Sequence, residues 1–155
     1  MKQRPDAALE VALEQRQRVL DQERKVLAER DLALHEQAAQ LSAAESRVRM
    51  VLMQIDAAQR PVPGVSLAVT VLGDLERLLD WCEVQAAIQK ERLDIARGEA
   101  DTARGAVAIA HQQVRALELV LEARAAERAE KQRRVELRLA DETAARVHAQ
   151  NLVMR

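Results

Sequence analysis

The chain has 155 residues, of which 48% are hydrophobic, 32% are charged and 1% are aromatic, and its formal net charge is -1. This length allows one domain with its own core, but the scarcity of aromatic side chains favours thin interfaces over a thick core. The balanced charge argues against a polybasic nucleic-acid binder, and the single cysteine, Cys82, excludes an internal disulfide.

The sequence also lacks the signals of a membrane or secreted protein. It holds no run of about 18 apolar residues, the length that a membrane-spanning helix needs. Its first ten residues, MKQRPDAALE, lack the apolar region of a secretory signal. We therefore expect a cytoplasmic protein with no direct membrane insertion.

The first predicted element is a helix over about residues 6–58, roughly 75 Å long. An apolar side chain returns at every seventh position, and a strict seven-residue repeat predicts a coiled coil. Each seven-residue repeat has a second core position, which we call the companion position. It is polar at Arg16, Glu23, Arg30 and Gln37, and apolar only at Ala44 and Val51. The end nearer residue 60 should therefore pack best. The repeating row consists of Leu13, Leu20, Leu27, Leu34, Leu41, Val48 and Ile55.

A turn is predicted over residues 60–66, where the sequence reads RPVPGVS. Pro61 and Pro63 remove backbone donors and fix φ, while Gly64 adopts positive φ without a steric penalty. Ser66 is a candidate cap for the next helix. The turn reverses one long helix onto another.

The second predicted element is a helical arm over about residues 67–155. Its apolar stripe ends where the register meets Arg124, Arg128 and Lys131, so we expect the seam to shift to a track of small side chains. Two glycines, Gly98 and Gly105, mark either close packing or a bend. The core of this arm includes Val107, Val114, Leu117 and Leu121, and the shifted track runs through Ala123, Ala126, Leu137, Ala140, Ala144 and Val147.

Together these elements predict an all-α protein, a single domain over residues 1–155 that forms a long antiparallel two-helix coiled coil, or helical hairpin. Because the second arm is longer than the first, two arrangements stay open. Either its carboxyl end overhangs, or residues 66–80 form a separate short helix at the tip, with Gly73 as the hinge. We favour the tip helix. A bend is expected near residue 80 or over 98–105.

The sequence contains no catalytic or metal-binding motif that we recognise. His35, His111 and His148 lie far apart, and none has a second ligand at the spacing of a metal motif. The chain also lacks a glycine-rich phosphate loop, a nucleophile elbow and a CxxC pair. We expect no catalytic residues, no metal and no cofactor, and hence a protein that is not an enzyme.

Two segments contain more apolar or more charged side chains than a simple coiled-coil rod requires. An apolar cluster after the turn covers more than one helix face, and it is either a docking site or buried by the folded tip. The arginine-rich stretch near the end either lines a charged channel or forms a solvated face with salt bridges four residues apart. The apolar cluster consists of Leu72, Leu75, Leu78, Leu79 and Trp81.

The layout of the chain resembles the flagellar FliJ family and its type III secretion relatives of the YscO type. The shared features are two long helices, a break near residue 60, an apolar segment after it and a charged final helix. The likeness is strongest near the end, where a Glu/Arg/Lys-rich run leads to an Asp-Glu pair and then to small residues and arginine. That part comprises Glu130, Lys131, Arg133, Arg134, Glu136, Asp141, Glu142, Ala144, Ala145 and Arg146.

This resemblance implies a stalk of the bacterial protein-export apparatus. Members of the family are small antiparallel coiled coils that sit in the ring of the export ATPase and contact the export gate in the inner membrane. The two chain ends would then enter the ring, and the turn would face the gate or export chaperones. Gate contacts would come from the apolar cluster, and contacts with the ATPase ring from Arg133, Arg134, Arg138, Asp141, Glu142 and Arg146.

The sequence departs from the family at the tip, where Trp81 is the one aromatic residue. The sequence is compatible with either a flagellar or an injectisome member of these families. The competing hypothesis is a coiled-coil scaffold or tether unrelated to secretion, built as a parallel homodimer through the leucine row. The proline turn argues against this homodimer, because two helices of one chain can pair at any protein concentration, whereas a dimer needs a sufficient concentration of chains.

Overall fold

A computed structural model describes residues 6–60, 62–64 and 69–153. It contains two α-helices, α1 (Ala7–Gln59) and α2 (Val69–Val153), and no strand among these residues. The two helices pack against each other, which confirms the predicted all-α antiparallel hairpin. Their bounds lie within two residues of those expected from the sequence.

Helix α1 is uninterrupted because it contains neither glycine nor proline. Asp6 directly precedes the helix, and its carbonyl oxygen accepts a hydrogen bond from the Glu10 amide at 2.9 Å. It ends at Gln59, just before Arg60, whose position ahead of Pro61 disfavours helical geometry.

Among the described residues of the connection, Gly64 lies in the left-handed region. Gly64 has φ of +85° and follows Pro63, as glycine does at the third position of a type II turn. A side chain at Gly64 would be strained, so the sequence specifies this turn by its glycine. Ser66, the candidate cap, lies outside the described residues.

Helix α2 runs without a break from Val69, so residues 69–80 are its first turns and not a separate tip helix. The sequence analysis favoured the tip helix with a hinge at Gly73, and that interpretation is wrong. A glycine inside a helix costs about 1 kcal/mol relative to alanine, which a long packed helix tolerates. The alternative arrangement, a carboxyl end that overhangs, is the one observed.

The chain divides into two compact units. We call Met1–Leu20 with Ala110–Arg155 the terminal unit and Asp21–Ile109 the turn unit. Each unit takes one part of α1 and one part of α2. Both are therefore built as pairs of helical segments with a core along their contact.

In the turn unit, α1 contributes several half-buried leucines to the core, whereas most buried side chains of α2 are alanines. The leucines of α1 at 27, 34 and 41 are half-buried, whereas α2 contributes alanines that are almost fully buried. Ala100 has no exposed surface at all. The leucines supply the volume and the alanines allow the backbones to approach. The buried side chains of this unit are Ala44, Val51, Cys82, Leu93, Ala96, Ala100 and Ala103.

The glycines of α2 do not explain this close approach. A Cβ atom built at Gly98 or Gly105 would meet nothing within 4 Å. Close packing at these two positions is therefore not the reason for glycine. The helix continues through both of them.

In the terminal unit the core is short. Leu20, Ala110 and Val114 are buried, and Leu9, Leu13, Leu117 and Leu121 are half-buried. Beyond this point α2 continues past the start of α1, and every described residue from 131 to 153 is exposed. The expected shifted track of small residues, from Ala123 to Val147, is exposed as well. It does not extend the seam, because α1 offers no helix opposite it.

Candidate functional site

The predicted coiled-coil core lies along the contact between the helices in each unit. In the terminal unit Leu20 and Val114 are buried, and Leu13, Leu117 and Leu121 are half-buried. In the turn unit Leu27, Leu34, Leu41, Val48, Ile55 and Val107 are all half-buried. The partial exposure of most of these side chains reflects the narrow two-helix interface, which covers them on one side only.

Two of the four polar companion residues of α1, Arg16 and Arg30, form hydrogen bonds to α2. In the terminal unit Arg16 Nη1 donates to Gln113 Oε1 at 2.9 Å. In the turn unit Arg30 Nη1 donates to Glu99 Oε2 at 2.7 Å, and the neighbouring Asp31 accepts from Arg104 at 2.9 Å. These side chains are about half exposed, so each ion pair contributes at most about 1 kcal/mol. They favour one register of the two helices.

The seam of the terminal unit ends in a charged clasp. Asp6 is 5% exposed, and its carboxylate accepts hydrogen bonds from two arginines of α2. Arg124 Nη1 lies 3.2 Å from Asp6 Oδ1, while Arg128 Nη1 pairs with Oδ2. The Arg128 hydrogen bond, opposed by desolvation and reinforced by Arg124, lowers the pKa of Asp6. The carboxylate is therefore held ionised where α1 begins.

The clasp explains why arginines stand on the seam. Arg124 and Arg128 follow Leu117 and Leu121 at the same three- and four-residue steps. Sequence analysis noted these arginines but took them as the point where the seam shifts. The signal it missed was a carboxylate at the first residue before α1, the partner that two arginines in an otherwise apolar register need.

The candidate contacts of the charged end all lie on the exposed part of α2. Arg133 and Arg134 both pair with Glu130, at 3.6 and 3.0 Å. Among the described residues, no ion pair involves the other four candidates. These are Arg138, Asp141, Glu142 and Arg146, and each is exposed. The structure brings the six together along one free helix of mixed charge.

The candidate contacts near the turn divide by exposure. Leu72, Leu75 and Leu79 are half-buried in the turn unit, whereas Leu78 and Trp81 are 42% and 55% exposed. Cys82, next to Trp81, is buried, as expected for a structural cysteine. The two exposed side chains are continued along α2 by further exposed apolar residues, Val84, Ile88 and Ile95. Sequence analysis did not single these out, although Trp81, Ile88 and Ile95 recur every seven residues.

Within the ranges that the structure describes, no group of three or more His, Cys, Asp and Glu side chains is placed to hold a metal ion. His35 contacts the Asp31 carbonyl oxygen of its own helix through Nδ1 at 2.6 Å. Over the same residues, neither helix combines the length and apolar character that crossing a membrane requires.

Two long paired helices, a glycine turn and a free charged end are features shared with many coiled coils, but the sequence decides between families. The family model described as "Flagellar FliJ protein" matches residues 5–152. The chain belongs to the flagellar FliJ family. This confirms the resemblance drawn from the layout and the charged end, and it makes the chain a flagellar export-related protein. No curated protein and no solved structure matches the chain at a significant level.

Proposed function

We propose that this FliJ-family chain is the non-enzymatic stalk component of the flagellar protein-export apparatus. In this role it binds the ring of the export ATPase and couples that ring to the export gate in the inner membrane. The observation that carries the proposal is the exposed end of α2, where every described residue from 131 to 153 lacks cover from α1. A long uncovered helix in a packed hairpin is a surface for a partner.

The exposed end is suited to the interior of a ring because it carries both acidic and basic side chains, whose contacts with a partner are individually weak. The proposed contacts with the ATPase ring are Arg133, Arg134, Arg138, Asp141, Glu142 and Arg146. Each exposed charge pair contributes about 0 to 1 kcal/mol and is screened by salt. Many such contacts hold a stalk in place and still permit it to turn or rock between equivalent subunits.

The region after the turn is the proposed contact with the export gate and with export chaperones. Leu78 and Trp81 supply exposed apolar surface there, and Leu72, Leu75 and Leu79 support them from half-buried positions. Exposed aromatic side chains are enriched among residues that dominate binding. We therefore assign Trp81 the largest share of this contact.

The remaining features of the proposal follow from its position between ring and gate. The chain acts in the cytoplasm, bound peripherally at the inner-membrane export apparatus, with no cofactor and no nucleic-acid partner. It carries out no catalysis of its own, because its task is to transmit position between two other components.

Co-purification tests this proposal. The tagged full-length chain is recovered from its own cell at low salt, and its companions are identified by mass spectrometry. We expect the export ATPase, with less of it retained as salt rises because exposed charge pairs are screened. A W81A variant should keep the ATPase and lose the gate protein. Recovery of unrelated partners with neither export component would replace the stalk with the scaffold hypothesis.

A further inference from the structure

The register of the seam continues along α2 beyond the last residue that α1 covers. Steps of three and four residues lead from Leu121 through Arg124, Arg128, Lys131 and Val135 to Arg138. We call the residues from Arg124 to Arg138 on this register the cationic line. It spans 15 residues, about 21 Å of helix, and four of its five side chains carry a positive charge.

Only the first part of the cationic line has a partner within the chain. Arg124 and Arg128 hold the buried Asp6 carboxylate. Lys131, Val135 and Arg138 are exposed, and no ion pair among the described residues involves Lys131 or Arg138. One face of α2 therefore begins as a helix-packing seam and continues as a row of free cations.

The pairing of Asp6 indicates which kind of side chain the cationic line binds. The buried Asp6 carboxylate accepts charge-assisted hydrogen bonds from two half-exposed arginines four residues apart, and such bonds are stronger than those between neutral groups. Lys131 and Arg138 are the next cations on the register, seven residues apart with Val135 between them. A helix that carries acidic side chains at three- and four-residue steps matches them, just as α1 matches the apolar part of the seam.

We propose that the cationic line docks an acidic helical segment of a partner protein, and that Asp6 competes with this segment for Arg124 and Arg128. The proposal rests on the proposed function, because it gives the chemistry of the surface that the exposed end presents inside the ATPase ring. A protein segment is favoured over nucleic acid, since Glu127 lies beside the line and Glu142 follows Arg138 at the next four-residue step, and both repel a continuous phosphate backbone. Val135 adds an apolar contact at the centre that a phosphate backbone does not use.

Binding of a synthetic peptide to the full-length chain tests the proposal. The probe is a labelled helix-forming peptide with glutamates at alternating three- and four-residue spacing, and its control has glutamine at those positions. Fluorescence anisotropy at low salt measures the affinity. The glutamate peptide should bind, the glutamine peptide should not, and added salt should weaken binding. Equal binding of both peptides, or tighter binding of duplex DNA or anionic vesicles, would overturn the proposal.

Three variants locate the site. R138E should weaken peptide binding roughly fivefold to tenfold, because it turns one attraction into a repulsion. R92E makes the same charge change at an exposed position of α2 in the turn unit, away from the cationic line, and should leave the affinity close to wild type. D6N should tighten binding severalfold, since it removes the competitor and leaves both arginines free. An equal loss in R138E and R92E, or unchanged affinity in D6N, would contradict the assignment.

The same variants separate this inference from the proposed function. Retention of the export ATPase is compared for the wild-type chain, R138E and R92E. If the wild-type chain retains no ATPase, the stalk function fails. If all three retain it equally, the function stands and the cationic line is not its docking surface.

Discussion

Replacing Ala100 by leucine tests the close approach of the helices in the turn unit. Ala100 has no exposed surface and belongs to the row of alanines that faces the α1 leucines. Three added carbon atoms have no space there unless the helices separate. Overpacking of this kind typically costs about 1–3 kcal/mol. We take about 2 kcal/mol, since the narrow interface relaxes more easily than a globular core.

Urea unfolding followed by circular dichroism at 222 nm measures this loss. For an m value of about 2 kcal/mol/M, a loss of about 2 kcal/mol lowers the midpoint by about 1 M. The matched control is A108L, the same substitution at an exposed position of α2, which should change stability by less than about 0.5 kcal/mol. A100L as stable as A108L would refute the close alanine packing.

Three further predictions concern the helices and the clasp. L27P or L34P should abolish much of the helical signal, because proline inside a helix costs about 3 kcal/mol or more; an unchanged melting curve would count against the seven-residue seam. G105A should stabilise the chain by about 1 kcal/mol in urea unfolding, since its new methyl group meets no atom within 4 Å. The lowered pKa of Asp6 adds stability above its ordinary value of about 3.9 and loses it as the pH falls below that value. The urea midpoint of D6N should therefore depend less on pH between about 5 and 2 than that of the wild-type chain, and identical pH profiles would exclude the clasp.

The seven-residue row of α1 was sufficient to predict both the helix and its pairing. A repeat of this length keeps one face of a helix towards a partner, and the proline and glycine turn placed that partner in the same chain. The end of α1 also followed from local chemistry, because Pro61 bars the preceding residue from helical geometry.

Other features depended on tertiary partners that no local pattern reveals. Gly73 was taken as a hinge, but the cost of one glycine is small beside the packing of a long helix. Arg124 and Arg128 were taken as the point where the seam shifts, whereas both donate hydrogen bonds to the Asp6 carboxylate in the terminal unit. The position of Asp6 in the fold decides that pairing, and it follows only from the register of the two helices.

The exposed apolar stripe of α2 shows a related limit. Trp81, Ile88 and Ile95 have the seven-residue period of a seam, yet they are exposed. Periodicity identifies a face, but it does not say whether this chain or another protein covers it. That distinction needs the burial of the folded chain.

Site-specific photo-crosslinking in the cell tests the central claim most directly, namely that the exposed end of α2 meets the export ATPase while the turn faces the gate. A photoreactive residue replaces Ala145 in one variant and Glu76 in another, both of which are exposed. The account predicts a crosslink from position 145 to the ATPase and from position 76 to the gate protein. Crosslinks to the ATPase from position 76, with none from position 145, would contradict it.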